Sequence, residues 1–149
     1  MSQRSAKDAA LDYFAQRYNC TESVLLGLIE YYNLDCECAP RIASGFGGGV
    51  GQCGDLCGAV SGAVMAIGLI FGRDDLSNPD QKTICYNKVE QLIELFEAEF
   101  GTLECSALTD CEMRTPEGRA RAKELDLHNT LCPKYVAFAA RATSSIVGE

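Results

Sequence analysis

The residues most able to do chemistry in this sequence of 149 residues are its nine cysteines. Four of them are far apart in sequence, and each stands where a helix is expected to begin: Cys20, Cys57, Cys105 and Cys132. A helix start offers unpaired backbone N–H groups and the positive end of the macrodipole, and both stabilise a thiolate. The pattern therefore predicts four thiols of lowered pKa, which are good nucleophiles and good metal ligands. If the helix starts converge, the four form one site.

Three kinds of chemistry fit such a site. Four thiolates hold an iron–sulfur cluster, most simply [2Fe–2S], and they also hold a zinc ion. The chain has no C-x2-C pair, the usual mark of zinc fingers, and the spacing does not choose between the two metals. The third possibility is thiol–disulfide exchange, with Cys57 as the nucleophile and Cys53, or another core cysteine, as the resolving thiol. That pair shares one helix face only if the helix extends back four residues. A structural zinc site in an interaction module is a further alternative.

The other cysteines and the single histidine have less specific patterns. Cys85 falls on the apolar stripe of a helix and is expected to pack in the core, as free cysteines commonly do. Cys36, Cys38 and Cys111 fall in expected turns, where they are exposed thiols or accessory ligands. His128 lies just before Cys132 and is either a ligand, a proton donor or an ordinary loop residue.

A glycine-rich segment, GFGGGVGQCG at 45–54, precedes the most apolar helix. It contains a G-x-G-x-x-G match, but a dinucleotide site needs that motif after a buried strand, and residues 41–46 make a poor strand. Glycines also let a backbone turn sharply and approach a ligand closely. We expect Gly47, Gly48, Gly49 and Gly51 to lie beside the cofactor and donate N–H groups to sulfur. The alternative is a tight loop that leads into a crowded helix junction.

The elements that must position these residues all read as helices. Apolar residues recur at helical spacing, and no stretch shows the alternation of a strand. Expected helices cover residues 4–18, 21–32, 56–72, about 84–100, a short piece after Thr102, a charged piece from Pro116 and a last helix from Cys132. We predict an all-α fold, a single-domain irregular bundle over 1–149 with the glycine-rich loop before a central apolar helix. The basic residues Arg114, Arg119, Arg121 and Lys123 are expected on a solvated face.

Composition limits the classes of function. Hydrophobic residues make up 47% of the chain, so a packed core is expected. The net charge of −8 argues against nucleic-acid binding. The N-terminus shows no apolar signal region, which favours a cytoplasmic location where thiols bind metal or do redox chemistry. An odd number of cysteines also excludes a complete disulfide framework within one chain.

The apolar stretch at 56–72 is the only one that resembles a membrane span. It is bracketed by Asp55 and Arg73 and is shorter than the ~20 residues that cross a bilayer, so we expect a buried core helix. Within it Gly58 and Gly62 continue a four-residue spacing that begins at Gly54. Such a face permits close helix packing, either inside one chain or between the chains of a homodimer.

A family resemblance runs along most of the chain, roughly from Tyr13 to Ala140. Tyr18-Asn19-Cys20, ASGFGGGVGQCGDLCGAVSGAVMAIGL at 43–69, Phe100-Gly101-Thr102 with Cys105, and then Cys132 together resemble the redox-active family named for its C_GCAxxG_C_C signature. The most specific block is CGAVSG at 57–62. The resemblance implies that Cys20, Cys57, Cys105 and Cys132 are the family's four cysteines and that the chain serves redox chemistry with an unidentified redox partner protein.

A similar domain occurs in split-Soret-type cytochromes, where the four cysteines are associated with an iron–sulfur cluster. This chain has no CxxCH, so the resemblance does not extend to covalently bound haem. Five of its nine cysteines lie outside the signature.

Overall fold

The computed structural model describes residues 3–148, and within them every regular element is helical. The elements are α1 (Ala6–Ala15), α2 (Cys20–Tyr32), a 3-10 helix (Arg41–Phe46), α3 (Gly58–Phe71), α4 (Gln81–Phe100), α5 (Cys105–Thr109), α6 (Pro116–Glu124), α7 (Leu127–Thr130) and α8 (Cys132–Val147). The only strand-like feature in this part of the chain is an isolated antiparallel bridge between Leu56 and Glu104. The all-α prediction is confirmed.

Helix α3 occupies the centre of the bundle and packs against α2, α4 and α8, while α1 packs against α2 and α8. Its buried residues are small or β-branched and include Ala59, Val60 and Ala63. On the far side, α4 buries Leu92 and Phe96. A cluster of aromatic rings then joins α4 to α8: Phe96, Phe100, Tyr135 and Phe138. Cys85 is half-buried against this core, as expected of a packing residue.

The small-residue face of α3 allows α2 to approach very closely. A Cβ atom placed on Gly58 would lie 2.6 Å from the Thr21 hydroxyl oxygen, and one on Gly62 would lie 2.5 Å from the Thr21 carbonyl oxygen. Gly54 does not belong to this face, because α3 begins only at Gly58 and Gly54 packs against Ser106 instead. The four-residue spacing therefore indicated close packing correctly for two of its three glycines. Of the helices in residues 3–148, none has the length and apolar character needed to cross a membrane.

Candidate functional site

The four signature cysteines line one cavity of about 570 Å³. Cys20, Cys105 and Cys132 are the first residues of α2, α5 and α8, and Cys57 is the residue that caps the start of α3. The prediction that all four stand at helix starts is confirmed. Four helices thus direct their N-terminal ends, each with a cysteine, toward the same space.

A short backbone pairing holds Cys57 next to Cys105. The Cys57 N–H donates to the Leu103 carbonyl at 2.8 Å, and the Cys105 N–H donates to the Asp55 carbonyl at 2.6 Å. These bonds flank the bridge between Leu56 and Glu104. Because the pairing is made by main-chain groups, it fixes the start of α3 against the start of α5 whatever the side chains are.

Cys20 is positioned by a capping box at the start of α2. The Asn19 side chain accepts from the Glu22 N–H at 2.8 Å, and the Glu22 carboxylate accepts from the Asn19 N–H at 2.9 Å. Such reciprocal bonds satisfy two of the free N–H groups of a helix start. The Cys20 and Cys132 thiols interact closely enough to shift each other's pKa. The starts of α2 and α8 therefore meet through their cysteines.

The glycine-rich segment forms a short left-handed turn on one wall of the cavity. Its successive φ values lie between +58° and +76°, for Gly48, Gly49, Val50, Gly51 and Gln52. A β-branched residue such as Val50 rarely adopts this conformation, so the surrounding contacts must hold it there. The turn brings Gly49 against Cys105, since a Cβ atom placed on Gly49 would lie 2.7 Å from the Cys105 Cβ.

Only part of this segment reaches the cavity. Gly48 and Gly49 line it together with Gln52. A Cβ on Gly47 would instead contact the Asn19 side chain at 2.6 Å, and the Cβ position of Gly51 has no neighbour within 4 Å. Gly47 therefore packs against Asn19, the residue that caps α2. Gly51 contributes a positive φ to the turn and contacts nothing through its Cβ position.

Burial controls the acidity of the cavity thiols. It raises the pKa of Cys57 to about 11, although N–H groups of Ala59 and Val60 act in the opposite direction. It also raises the pKa of Cys105 to about 12. The prediction that helix starts lower these pKa values is therefore wrong for both, because desolvation of the thiolate outweighs the N–H groups.

The two remaining thiols behave as a pair. The interaction with Cys132, reinforced by burial, raises the pKa of Cys20, whereas the same interaction lowers the pKa of Cys132. A thiol that donates keeps its proton, and the sulfur that accepts is stabilised as a thiolate. The pKa of Cys132 is thus lowered by the Cys20 thiol and not by its helix start, and the predicted lowering is wrong for Cys20 as well.

These shifts predict how the metal-free protein responds to alkaline pH. The folded state prefers Cys57 as the protonated thiol rather than the thiolate. The stability that this preference gives is complete below the ordinary pKa of 9.0 and is lost as pH rises through about 11. We expect the Tm of metal-free protein, followed by circular dichroism, to fall between pH 9 and 11. The fall should be shallower in Cys57→Ala, and an identical slope in the two proteins would contradict this explanation.

Basic side chains from α6 and the end of α1 complete the cavity wall. Arg17, Arg119 and Lys123 line it, so part of the basic run expected on a solvated face lies at the site. Arg119 donates from Nε to the Met113 carbonyl at 2.7 Å and from Nη2 to the Gln52 carbonyl at 3.2 Å. It thereby ties α6 to the left-handed turn. All four basic residues of that run are exposed, as expected, and Arg114 and Arg121 pair with surface carboxylates.

His128 also lines the cavity, but one of its nitrogens is already engaged. Its ring stacks on Phe14 with centroids 3.8 Å apart, and Nε2 lies 2.8 Å from the Phe14 carbonyl oxygen. A carbonyl only accepts, so Nε2 carries the proton. In the neutral ring the lone pair is then on Nδ1, the nitrogen available to a ligand or a proton.

The cysteines outside the signature lie away from the cavity lining. Cys53 follows the left-handed turn and donates to the Gly51 carbonyl at 3.7 Å. Because α3 begins at Gly58, Cys53 and Cys57 do not share a helix face as the disulfide hypothesis required. Cys111, expected in a turn as an exposed thiol or an accessory ligand, is buried with Met113 and Leu127 outside the cavity lining. Cys36 and Cys38 lie in the turn after α2, with their sulfur atoms 3.6 Å apart.

A family model matches nearly the whole chain, and its signature contains four cysteines. The family model covers residues 18–146. Its printed signature has the order Gly-Cys-Ala, whereas this chain places Cys57 before Gly58. Cys57 nevertheless lines the cavity with the other three cysteines. No curated protein and no solved structure matches the chain. The chain belongs to the family described as "Putative redox-active protein (C_GCAxxG_C_C)".

Proposed function

We propose that this protein transfers electrons through an iron–sulfur cluster, most simply [2Fe–2S], held by Cys20, Cys57, Cys105 and Cys132. The observation that carries the proposal is that four thiols from four helix starts line a single cavity. Such a cluster takes four cysteine ligands, and its bound state supplies one-electron redox chemistry.

The donor set fits this group in chemistry and in surroundings. Cys57 is 5% exposed, and Cys20, Cys105 and Cys132 are half-buried, so a bound cluster would be partly shielded from water. Burial and nearby N–H groups are the means by which a protein sets the potential of such a cluster. Gly48 and Gly49 lie on the wall, where backbone can come close to sulfur. Arg17 and Lys123 would offset the negative charge of four thiolates.

A single zinc ion is the main alternative guest. It needs sulfur atoms about 2.3 Å from one point. Within residues 3–148, no group of three or more Cys, His, Asp or Glu side chains has the arrangement needed to hold one metal ion. The four thiolates suit either group, so the metal content distinguishes them. Binding of zinc or of a cluster requires Cys57 and Cys105 to lose their thiol protons. Burial opposes that loss, because it raises the pKa of both thiols.

A second candidate function is disulfide chemistry between Cys20 and Cys132, which line the same cavity and interact with each other. It differs from the exchange predicted at Cys57 and Cys53, since those two do not share a helix face. In this reading the pair would be oxidised to a disulfide, and the other two signature thiols would stay reduced.

Metal and sulfide analysis of protein purified without oxygen separates these functions. We expect about two irons and about two acid-labile sulfides per chain, the composition of [2Fe–2S]. About one zinc per chain and no sulfide would support the structural zinc site. Metal-free protein with a reversible disulfide between Cys20 and Cys132 would support the second candidate and contradict the cluster.

A further inference from the structure

A second pair of thiols lies outside the four-cysteine cavity. Cys36 and Cys38 occupy the turn that follows α2, and their sulfur atoms are 3.6 Å apart, within hydrogen-bonding distance for two thiols. Neither residue lines the cavity. Cys20 begins α2, a helix of 13 residues that spans about 20 Å, and the pair follows its other end. The two thiols therefore form a site separate from the signature cysteines.

The turn holds these sulfurs together through its backbone. The Ala39 N–H donates to the Cys36 carbonyl at 3.3 Å, and the Ile42 N–H donates to the Cys38 carbonyl at 3.0 Å. A disulfide needs its sulfurs about 2.05 Å apart, so side-chain rotation must bring them about 1.5 Å closer. Because the two residues are separated only by Glu37, little chain freedom is lost when the bond closes.

The two thiols differ in access to solvent. Cys38 is exposed and Cys36 is half-buried. An attacking thiol must reach its target, whereas a resolving thiol needs only to lie beside the first. The difference in exposure makes Cys38 the attacking thiol and Cys36 the resolving thiol.

We propose that Cys36 and Cys38 form a second redox site, a dithiol that reduces low-molecular-weight disulfides and closes into a Cys36–Cys38 disulfide. Cys38, as a thiolate, attacks one sulfur of the substrate, whose S–S bond breaks to release one thiol. Cys36, as a thiolate, then attacks the Cys38 sulfur and releases the second thiol. The pair loses two electrons and two protons, and the two released thiols take up both.

Mass spectrometry after treatment with glutathione disulfide tests this directly. The protein, as purified without oxygen and with its cavity occupant in place, is incubated with millimolar glutathione disulfide, alkylated and then digested. Cleavage after Glu30, Glu37 and Arg41 puts the two cysteines on separate fragments, 31–37 and 38–41. We expect these fragments to remain joined by a disulfide and to separate after reduction.

Variants identify the attacking thiol. In Cys36→Ser, Cys38 should retain a single glutathione as a trapped mixed disulfide, and Cys38→Ser should react at least about tenfold more slowly. Cys53→Ser removes another turn cysteine and should leave the linked fragments unchanged. Separate alkylated fragments from the wild-type protein, or glutathione on both cysteines without a link, would overturn the proposal. The iron content of the same sample shows independently whether the four-cysteine cavity holds its proposed cluster.

Discussion

Cys132→Ser and Cys20→Ser proteins purified without oxygen are expected to lose at least about nine-tenths of their bound iron and sulfide. Each change removes one of the four thiols that line the cavity and leaves a hydroxyl, a much poorer ligand for iron. Loss of a group that only orients a ligand already costs about 10–100-fold in metal affinity, so loss of a ligand should cost at least as much. Iron assay and visible absorbance measure the effect.

Cys85→Ser is the matched control for these variants. Cys85 is half-buried against the core and does not line the cavity, so its variant should keep its iron and lose only stability. A polar hydroxyl in place of a thiol is costly in an apolar environment. Equal iron loss in Cys85→Ser and Cys132→Ser would show that iron is lost through general destabilisation and not through removal of a ligand.

Gly62→Ala should lower the free energy of unfolding by about 3 kcal/mol, near the upper end for overpacking. The added Cβ would lie 2.5 Å from the Thr21 carbonyl oxygen, which is backbone and cannot rotate away. Helix α3 would have to move off α2, and the Tm measured by circular dichroism should fall by roughly 6–12 °C. Since these helices carry Cys57 and Cys20, weaker retention of iron should accompany the loss.

Gly68→Ala provides the control in the same helix. The Cβ position of Gly68 has no neighbour within 4 Å, so alanine there meets nothing. Alanine in a helix interior is favoured over glycine by about 0.5–1 kcal/mol. We expect an unchanged or slightly higher Tm. A similar Tm for Gly62→Ala and Gly68→Ala would contradict the close contact of α3 with α2.

The helix starts that form the site were predictable because their signals are local. Asn19 with Glu22 makes a capping box at Cys20, and Pro133 stands in the first turn after Cys132. Capping residues and proline act within a few positions of the helix start. The directions of the four helices did not follow from these signals, and it is the fold that brings the four cysteines to one cavity.

The acidity of the thiols was not predictable in the same way. The N–H groups near Cys57 follow from its place at the start of α3, but its desolvation depends on the helices that pack around it. The left-handed turn could not be predicted from the sequence either. Its glycines permit positive φ, but Val50 and Gln52 adopt it only because the chain on both sides is held in place.

The exact partners of long side chains were also beyond sequence reasoning. Helix α6 reads as a charged, solvated segment, and most of it is exposed. Arg119 reaches across to the Gln52 carbonyl, 67 positions earlier in the chain. Such a contact depends on how α6 is placed over the cavity, which no local pattern specifies.

The visible spectrum of protein purified without oxygen tests most directly whether the four cysteines hold a redox-active cluster. It should be recorded before reduction, after a one-electron reductant, and again after reoxidation. We expect sulfur-to-iron charge-transfer bands that bleach on reduction and return on reoxidation, and that are lost in Cys132→Ser. A colourless protein from iron-replete cells, with no spectral change on reduction, would contradict the account.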